Sequence, residues 1–330
     1  MEPIIPPVDR SLLLKELADS KLLRKSNFGN TEIYVFSHED SPNLMQELGR
    51  VREITFREAG GGSGKACDLD AYDLSDTPYL QLIVWDPDEA EIIGGYRFIH
   101  GGAVIDNPDK YLTTSKLFHF SDIFIRDYLP HTIELGRSFV QPKYQQGRYA
   151  RKGMFALDNL WDGLGALTVE YPDIRYFFGK VTMYKHFDIE ARNYLLSFMH
   201  LYFPDRDGLV LTPQQIVIDY KKYQKNFKGN NYKLDYKHLS SIVRTSGERI
   251  PPLINAYMNI SPSMRTFGTV ENPYFGGVEE TGILISISDI YPPKKDRHIL
   301  TYNKLAQLKT ILQNKMKIRI KLKKSKKAGN

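Results

Sequence analysis

The sequence predicts a mixed α/β fold in which a mixed, twisted β-sheet is flanked by helices. Apolar segments with strand character alternate along the chain with longer segments of helical periodicity. Two strand segments, at residues 79–85 and 92–99, are joined by the turn-forming Asp86-Pro87-Asp88 and predict an antiparallel hairpin. No internal repeat or low-complexity segment interrupts this order. The pattern is typical of a globular α/β protein.

The predicted elements follow from the amino terminus onward. A short amphipathic helix is expected at 11–24 and a second helix at 43–58, followed by a flexible loop at the glycine-rich residues 60–64. Residues 205–250 are polar and receive no assignment. The remaining expected elements are helices at 154–169, 189–203 and 251–260 and strands at 132–140, 175–183 and 282–289.

Length and composition bound the class of protein. With 330 residues, of which 42% are hydrophobic and 25% charged, the chain can bury a sizeable core. Cys67 is the single cysteine, so an intramolecular disulfide is excluded and a reducing compartment fits best. The histidines show no His-x-x-x-His or His-Glu-x-x-His pair. We therefore expect no metal site and no bound cofactor.

The positive charge is concentrated at the carboxyl terminus. Residues 315–330 hold eight Lys or Arg, so the net charge of +6 falls to about −2 without them. A nearly neutral body argues against nucleic-acid binding. The basic segment predicts either a solvated chain end or peripheral contact with an anionic membrane. With no signal peptide and no apolar run long enough to span a bilayer, we expect a cytoplasmic protein, with any membrane contact at the inner face.

Four short segments carry the candidate chemistry. They are Arg52-x-x-x-Phe56, an acidic loop containing Asp70 and Asp73, a strand segment Gly-Gly-Tyr that ends in Arg97, and Glu134-x-x-Arg137 at the start of a strand. A charge such as Arg97 in an apolar strand predicts pairing with an acid. Glu134 and Arg137 are three residues apart in a strand, which predicts that they face opposite sides of the sheet.

This ordered set resembles the acyl-carrier-protein-dependent N-acyltransferases of the GNAT superfamily. That group includes the enzymes that begin ornithine-lipid and glycine-lipid synthesis and, more distantly, the acyl-homoserine-lactone synthases. The similarity covers residues 45–185 and implies a GNAT-like sheet with a V-shaped split between strands. We divide the chain into a lead-in (1–40), the N-acyltransferase domain (41–290) and a basic tail (291–330).

Two departures refine the resemblance. The tryptophan that lactone synthases carry after the first segment is absent, which disfavours that activity. The glycine-spaced loop that cradles pyrophosphate in acetyl-CoA enzymes is degraded at residues 145–150. A carrier protein's phosphopantetheine arm has a single phosphate linkage, so acyl carrier protein is favoured as donor over acetyl-CoA, while acyl-CoA stays open.

The resemblance implies roles for individual residues. Glu134 is expected to be the general base or a proton-relay group, with Arg137 and Arg97 also catalytic. Asp70 and Asp73 would shape the amine pocket or hold Arg52 and Arg97. The substrate-binding set is Arg52, Phe56, Asp70 and Asp73. The set for acyl carrier protein and its phosphopantetheine arm is Phe139, Val140, Lys143, Arg148, Arg151 and Lys152.

Competing interpretations accompany these roles. The acids and arginines are also consistent with a structural ion network behind the cleft, and the basic rim with a solvated loop.

The expected activity is transfer of a long-chain, or 3-hydroxy, fatty acyl group from acyl carrier protein to the α-amine of an amino acid, glycine first and ornithine second. An acetyl-CoA-dependent acetyltransferase acting on a small amine is one alternative. A non-catalytic carrier- or lipid-binding module is the other.

Overall fold

A mixed β-sheet forms the centre of the protein. The structure is a computed structural model that describes residues 1–19 and 21–303. Eight described strands build the main sheet in the order β1-β2-β3-β4-β6-β7-β10-β9, and β5 pairs with β8 in a small second sheet. The strands are β1 (Lys21–Lys25), β2 (Glu32–Phe36), β3 (Leu80–Asp86), β4 (Glu91–His100), β5 (His119–Phe120), β6 (Thr132–Val140), β7 (Tyr176–Met183), β8 (Val210–Leu211), β9 (Arg265–Asn272) and β10 (Val278–Ser286).

The helices flank both faces of this sheet. Pro42 supplies the fixed φ that suits the first turn of the longest one. The described helices are α1 (Arg10–Asp19), α2 (Pro42–Glu58), α3 (Pro108–Tyr111), α4 (Ala150–Gly153), α5 (Ala156–Glu170), α6 (Ile189–Tyr202), α7 (Tyr220–Gln224), α8 (Tyr232–Thr245), α9 (Pro252–Met258) and α10 (Pro292–His298). None of these described helices combines the length and apolar character needed to cross a bilayer.

The sheet splits between β6 and β7, the parallel pair. Pairing joins 132–135 to 176–179 and ends at Leu135 and Gly179. Beyond that point the two strands continue, as 136–140 and 180–183, without pairing to each other. The V-shaped split that the sequence resemblance implied is therefore confirmed. Backbone groups of β6 that face the split have no strand partner there, which leaves them open to a ligand.

A β-bulge in β6 overturns one prediction about side-chain direction. Gly95 pairs with Phe139 and Arg97 pairs with Gly136, so β6 has an extra residue between these pairs. Arg137 occupies the bulge with a φ of 50°, in the left-handed region. The alternation of side chains breaks at that point. The prediction that Glu134 and Arg137 face opposite sides is therefore wrong, because both lie on the side of the sheet that carries Arg97.

Strand pairing defines the two faces of the sheet, because directly paired residues project to the same side. The α2 face carries Arg97, Glu134 and Phe178, and α2 packs against it. The α5 face carries Tyr96, Leu135 and other apolar residues that join the core beneath α5. The expected apolar side of α2 is confirmed, since its buried residues include those that the periodicity placed near one face, Leu44, Leu48, Val51 and Phe56.

Most predicted elements are confirmed with small shifts of their ends, including the β3–β4 hairpin. The helix expected at 11–24 is wrong in its second half, because α1 ends at Asp19 and 21–25 form β1. A short apolar run fits both the helical and the strand period. Here pairing with β2 makes residues 21–25 a strand. The strand expected at 282–289 begins earlier, at Val278. The division of the chain at residues 40 and 290 stays a prediction, although β1 and β2 belong to the main sheet.

Candidate active site

A cavity of about 650 Å³ occupies the split between β6 and β7. Leu135 and Gly179, the last paired residues, line it, and so do the unpaired residues Gly136, Arg137 and Lys180. The split therefore opens the sheet into a space large enough for a substrate.

The cavity passes from one face of the sheet to the other. From the α5 face it is lined by apolar side chains, which are Tyr96, Leu135, Phe177, Ile283 and Ile285, with Leu157 of α5 and Leu253 and Tyr257 of α9. From the α2 face it is lined by polar side chains, which are Arg97, Thr113, Arg137, Lys180, Thr182 and Glu280, and by the aromatic rings of Phe56, Phe139, Phe178 and Phe275. One end can accept an apolar chain and the other a charged molecule, with the splayed backbone of β6 between them.

Three arginines and three aspartates form an ion network on the α2 face, below named the arginine–aspartate network. Its members are Arg52, Arg97, Arg137, Asp68, Asp70 and Asp73. The pairing with an acid expected for Arg97 is confirmed: its Nη1 lies 2.9 Å from both oxygens of Asp70 and 3.2 Å from Oδ2 of Asp73.

Each end of the network ties a different element to this centre. Arg52 of α2 lies 3.3 Å from Asp73 and donates to Gln81 of β3 at 2.9 Å. Arg137 at the bulge makes a two-point contact with Asp68, 2.9 Å from Nε to Oδ2 and 2.9 Å from Nη2 to Oδ1. The network therefore links α2, β3 and β4 to the bulge of β6 through the acidic loop.

Burial and neighbouring charges set the ionisation of the network. Burial of Asp70 opposes its charge, but Arg97 and Arg137 outweigh that effect and hold the pKa of Asp70 well below its usual range. Burial likewise opposes the charge of Arg97, but Asp73 and Asp70 outweigh it and raise the pKa of Arg97. Complete burial lowers the pKa of Arg52 against the opposing charge of Asp73. Asp70 and Arg97 therefore stay charged at neutral pH.

Of these members, Arg97 and Arg137 line the cavity, whereas Arg52, Asp70 and Asp73 lie behind it. The contacts of Asp70 and Asp73 are those of residues that hold arginines in place. Phe56 also lines the cavity, in edge contact with Phe275, over which the Arg137 guanidinium lies 4.3 Å from the ring centre.

Glu134 lies buried beside the cavity, next to the lining residues Leu135 and Gly136. Its Oε1 accepts hydrogen bonds from the Tyr79 hydroxyl (2.7 Å), the Thr113 amide (3.1 Å) and the Thr113 hydroxyl (2.6 Å). Its Oε2 accepts from the Thr114 hydroxyl at 2.7 Å. Both carboxylate oxygens of Glu134 therefore have hydrogen-bond donors. Of the donors to Glu134 among the described residues, Thr113 is the one that also lines the cavity.

The residues expected to meet the acyl carrier protein fall into three groups. Phe139 and Val140 line the cavity. Lys143 binds Glu91 (2.6 Å) and Lys152 binds Asp86 (2.7 Å), so both are paired with acids at the ends of the β3–β4 hairpin. The other two, Arg148 and Arg151, are exposed beside the mouth of the cavity, which residues Gln145, Gly153 and Met154 line.

Sequence reasoning missed four residues of the site. Asp68 belongs to the acidic loop that the sequence singled out, but no role was given to it. Thr113 carried no signal in the sequence. Lys180 interrupts the apolar strand β7, which was a usable signal. Glu280 fell outside the strand expected from residue 282, so its place beside Lys180 was not foreseen.

Two remaining expectations concern metals and the tail. Within residues 1–19 and 21–303, no group of three or more His, Cys, Asp or Glu side chains is placed to hold a metal ion. The basic segment 315–330, expected to contact an anionic membrane, lies outside the described residues.

Comparison of the sequence with known proteins relates this chain to acyl-transfer enzymes. Residues 51–153 match the acetyltransferase (GNAT) domain family. The chain is 50% identical over 308 residues to a glycine N(alpha)-acyltransferase of Phocaeicola vulgatus, covering 92% of this chain and 94% of that protein. It is also 50% identical over 306 residues to a glycine N(alpha)-acyltransferase of Bacteroides thetaiotaomicron, covering 92% and 91%.

A solved structure of a CoA-dependent acyl-homoserine lactone synthase aligns more weakly. The TM-score is 0.28 at 15% identity, over 45% of this chain and 65% of that one. A likeness of this strength carries no argument about the present chain.

Proposed function

Because this chain belongs to the family of glycine N(alpha)-acyltransferases, we propose that it transfers a long-chain fatty acyl group from acyl carrier protein to the α-amine of glycine. The family confirms the resemblance seen in the sequence, and the chain is a GNAT-type acyltransferase. Glycine as acceptor, the carrier protein as donor and the length of the acyl group are the parts that we propose.

The cavity that crosses the sheet carries this proposal. Its apolar end on the α5 face suits a fatty acyl chain, and its charged end on the α2 face suits an amino acid. The thioester would then lie in the split, beside the unpaired backbone of β6 at 136–140. Holding amine and thioester together in this way supplies much of the rate enhancement of a two-substrate reaction.

The reaction itself is aminolysis of a thioester. The amine nitrogen bonds to the carbonyl carbon, the carbon–sulfur bond breaks, and the thiolate leaves as a thiol after taking up a proton. Starting from the ammonium form of glycine, one further proton is released to solvent. The protein must accept a proton from nitrogen and stabilise the oxyanion. We assign the oxyanion contact to a backbone N–H of β6 beyond Arg137.

Glu134 acts in this proposal as a proton-relay group rather than by direct contact. Its Oε1 accepts the hydroxyl proton of Thr113, whose side chain lines the cavity. A proton from the amine would pass to the Thr113 oxygen while the Thr113 proton passes to Glu134. Arg97 and Arg137 are held by the arginine–aspartate network. In this proposal they fix the bulge of β6, beside which the thioester would lie.

Acyl carrier protein is favoured as donor by the mouth of the cavity. Arg148 and Arg151 are exposed there, and carrier proteins are acidic, so the charges are complementary. Lys143 and Lys152 contribute less, because acids of the β3–β4 hairpin already balance them.

The proposed function is tested by supplying purified protein with palmitoyl carrier protein, palmitoyl-CoA or acetyl-CoA, each with glycine or ornithine, and analysing products by mass spectrometry. We expect N-palmitoyl glycine, formed fastest from the carrier protein. Faster turnover of acetyl-CoA would replace the proposal with the small-amine acetyltransferase.

The relay has a matched pair of variants. Thr113→Val and Thr114→Val each remove one hydroxyl that donates to Glu134, but Thr113 alone of the two lines the cavity. We expect Thr113→Val and Glu134→Gln to lower kcat by about 10²–10⁴, and Thr114→Val to lower it much less. Equal losses in the two threonine variants would reject the relay.

A further inference from the structure

We infer that Lys180 and Glu280 form the acceptor subsite, in which Glu280 binds the ammonium and Lys180 the carboxylate of a free amino acid. This inference rests on the proposed function and deepens it. It names the feature of the acceptor that the site recognises, which is the paired charge of an amino acid zwitterion rather than an amine alone.

Position is the first reason for this assignment. Lys180 directly follows Gly179, the last residue of β7 that pairs with β6, so it stands at the fork of the split. Across the split, Gly136 and Arg137 are the first residues of β6 without a β7 partner. Neighbouring strands lie about 4.8 Å apart where they pair. Lys180 is therefore adjacent to the β6 backbone at which the thioester is placed.

Glu280 lies on the same face of the sheet as Lys180. It pairs in register with Thr182, two residues beyond Lys180 on β7, so all three side chains project to the α2 face. All three also line the cavity. The charged acceptor end of the cavity thus has a cation and an anion side by side, apart from the arginine–aspartate network.

The contacts of the pair leave it open to a ligand. Lys180 Nζ donates to Glu280 Oε2, which also accepts from Asn272 at 2.9 Å. Glu280 Oε1 has a longer contact, 3.4 Å from the Thr182 hydroxyl. Among the described residues, Glu280 is the sole hydrogen-bond acceptor for the Lys180 ammonium, which carries three donors. Each partner therefore has capacity for a further charged group.

Burial is the second reason. The side chains of Lys180 and Glu280 are 13% and 4% exposed. A buried ion pair contributes little net stability compared with apolar residues of the same volume. A zwitterion whose ammonium faces Glu280 and whose carboxylate faces Lys180 would satisfy both partners. An amide or an ester of the same amino acid would leave the Lys180 charge without its second partner.

The test compares glycine with glycinamide, which keeps the amine and lacks the carboxylate, using the acyl donor that supports turnover. We expect Lys180→Met to lower kcat/KM for glycine about 10- to 100-fold, with a much smaller change for glycinamide. Equal losses for both acceptors, or no loss, would overturn the inference. Glu279→Gln is the matched control, since Glu279 precedes Glu280 on β10, pairs with Arg192 at 2.8 Å and is not among the residues that line the cavity.

A charge-swapped variant separates recognition from folding. Lys180→Glu combined with Glu280→Lys keeps an ion pair at this position, so we expect a Tm near that of the wild-type protein. The reversed charges would turn the amino acid around and hold its amine away from the thioester, so glycine turnover should stay low. Full recovery of turnover in the double variant would show that the pair is structural and reject the inference.

Binding without turnover distinguishes this inference from the proposed function. The shift of Tm by millimolar glycine is measured for the wild-type protein and for Lys180→Met. If no donor is consumed but glycine raises the Tm only when Lys180 is present, the proposed function fails and the subsite stands. If acyl glycine forms but both turnover and binding ignore Lys180, the subsite fails and the function stands.

Discussion

Asp73→Asn offers the sharpest test of the arginine–aspartate network. Asp73 is fully buried and lies within 3.3 Å of Arg52 and 3.2 Å of Arg97, both of which are also buried. The asparagine has nearly the same shape, so the change removes one negative charge and little packing. Two arginines then share a site with too few acids. Breaking a buried charge pair in this way destabilises a protein by about 3–5 kcal/mol.

The expected shift in melting temperature follows from the size of the chain. A protein of 330 residues has an unfolding entropy of about 0.7 kcal/mol/K, so this loss lowers Tm by about 4–7 °C. Differential scanning calorimetry would measure it. Asp88→Asn is the matched control, because Asp88 is exposed and pairs with Lys152 at the surface, and its Tm should stay within error.

The result that would refute this reasoning is a Tm for Asp73→Asn that matches the wild type to within about 1 °C, since a charge buried without its partner must appear in stability. A drop equal to that of Asp88→Asn would be equally damaging. Turnover gives a second readout, because Asp73 holds Arg97, which lines the cavity.

Three further predictions concern backbone space, acid stability and thiol reactivity. In Gly94→Ala the new Cβ would lie 2.4 Å from the Phe139 carbonyl oxygen. We therefore expect the free energy of unfolding, measured in urea, to fall by about 1–3 kcal/mol. In Gly136→Ala the new Cβ would lie 3.4 Å from its nearest neighbour, Nε of Arg97, so this variant should unfold like the wild type. The pKa of Asp70 is held down in the folded state. Its contribution to stability is therefore complete above its unfolded pKa of about 3.9 and is lost as the pH falls through the lower folded value. The difference in Tm between the wild type and Asp70→Asn should be smaller at pH 3 than at pH 7, and an unchanged difference would contradict the lowered pKa of Asp70. Burial, and after it the charge of Asp68, raises the pKa of Cys67 to about 11. Iodoacetamide at pH 8 should therefore alkylate the folded protein at least about tenfold more slowly than the unfolded chain. Equal rates would show that the Cys67 thiol is not shielded.

The periodic elements were predictable from the sequence because their own residues specify them. Strand β6 at 132–140 and helix α2 were found nearly to the residue, since alternation and helical spacing are local properties. Strands β1, β2 and β9 of the main sheet were not found. The first two are five residues long and the third contains Gly268. β1 pairs with β2, and β9 pairs with β10, so these strands are established by pairing with the strand that follows each in the chain and not by their own periodicity.

The candidate site likewise contains one feature that the sequence predicts and one that it does not. Arg97 in an apolar strand demanded an acid, and the sequence supplied Asp70 and Asp73 in one nearby loop, so their meeting could be foreseen. The bulge at Arg137 could not, because a single inserted residue in the β4–β6 ladder leaves no local mark on composition. That residue reversed the predicted direction of the Arg137 side chain.

By itself, the sequence determined the fold class, the family and most of the charged residues that the candidate site brings together, because each is encoded by residue type and short-range spacing. Only the tertiary structure decided that β6 and β7 separate after Leu135, that Thr113 stands between Glu134 and the cavity, and that Lys180 meets Glu280. The physical reason is that strand pairing between segments 100 residues apart, not local preference, places Glu280 beside Lys180.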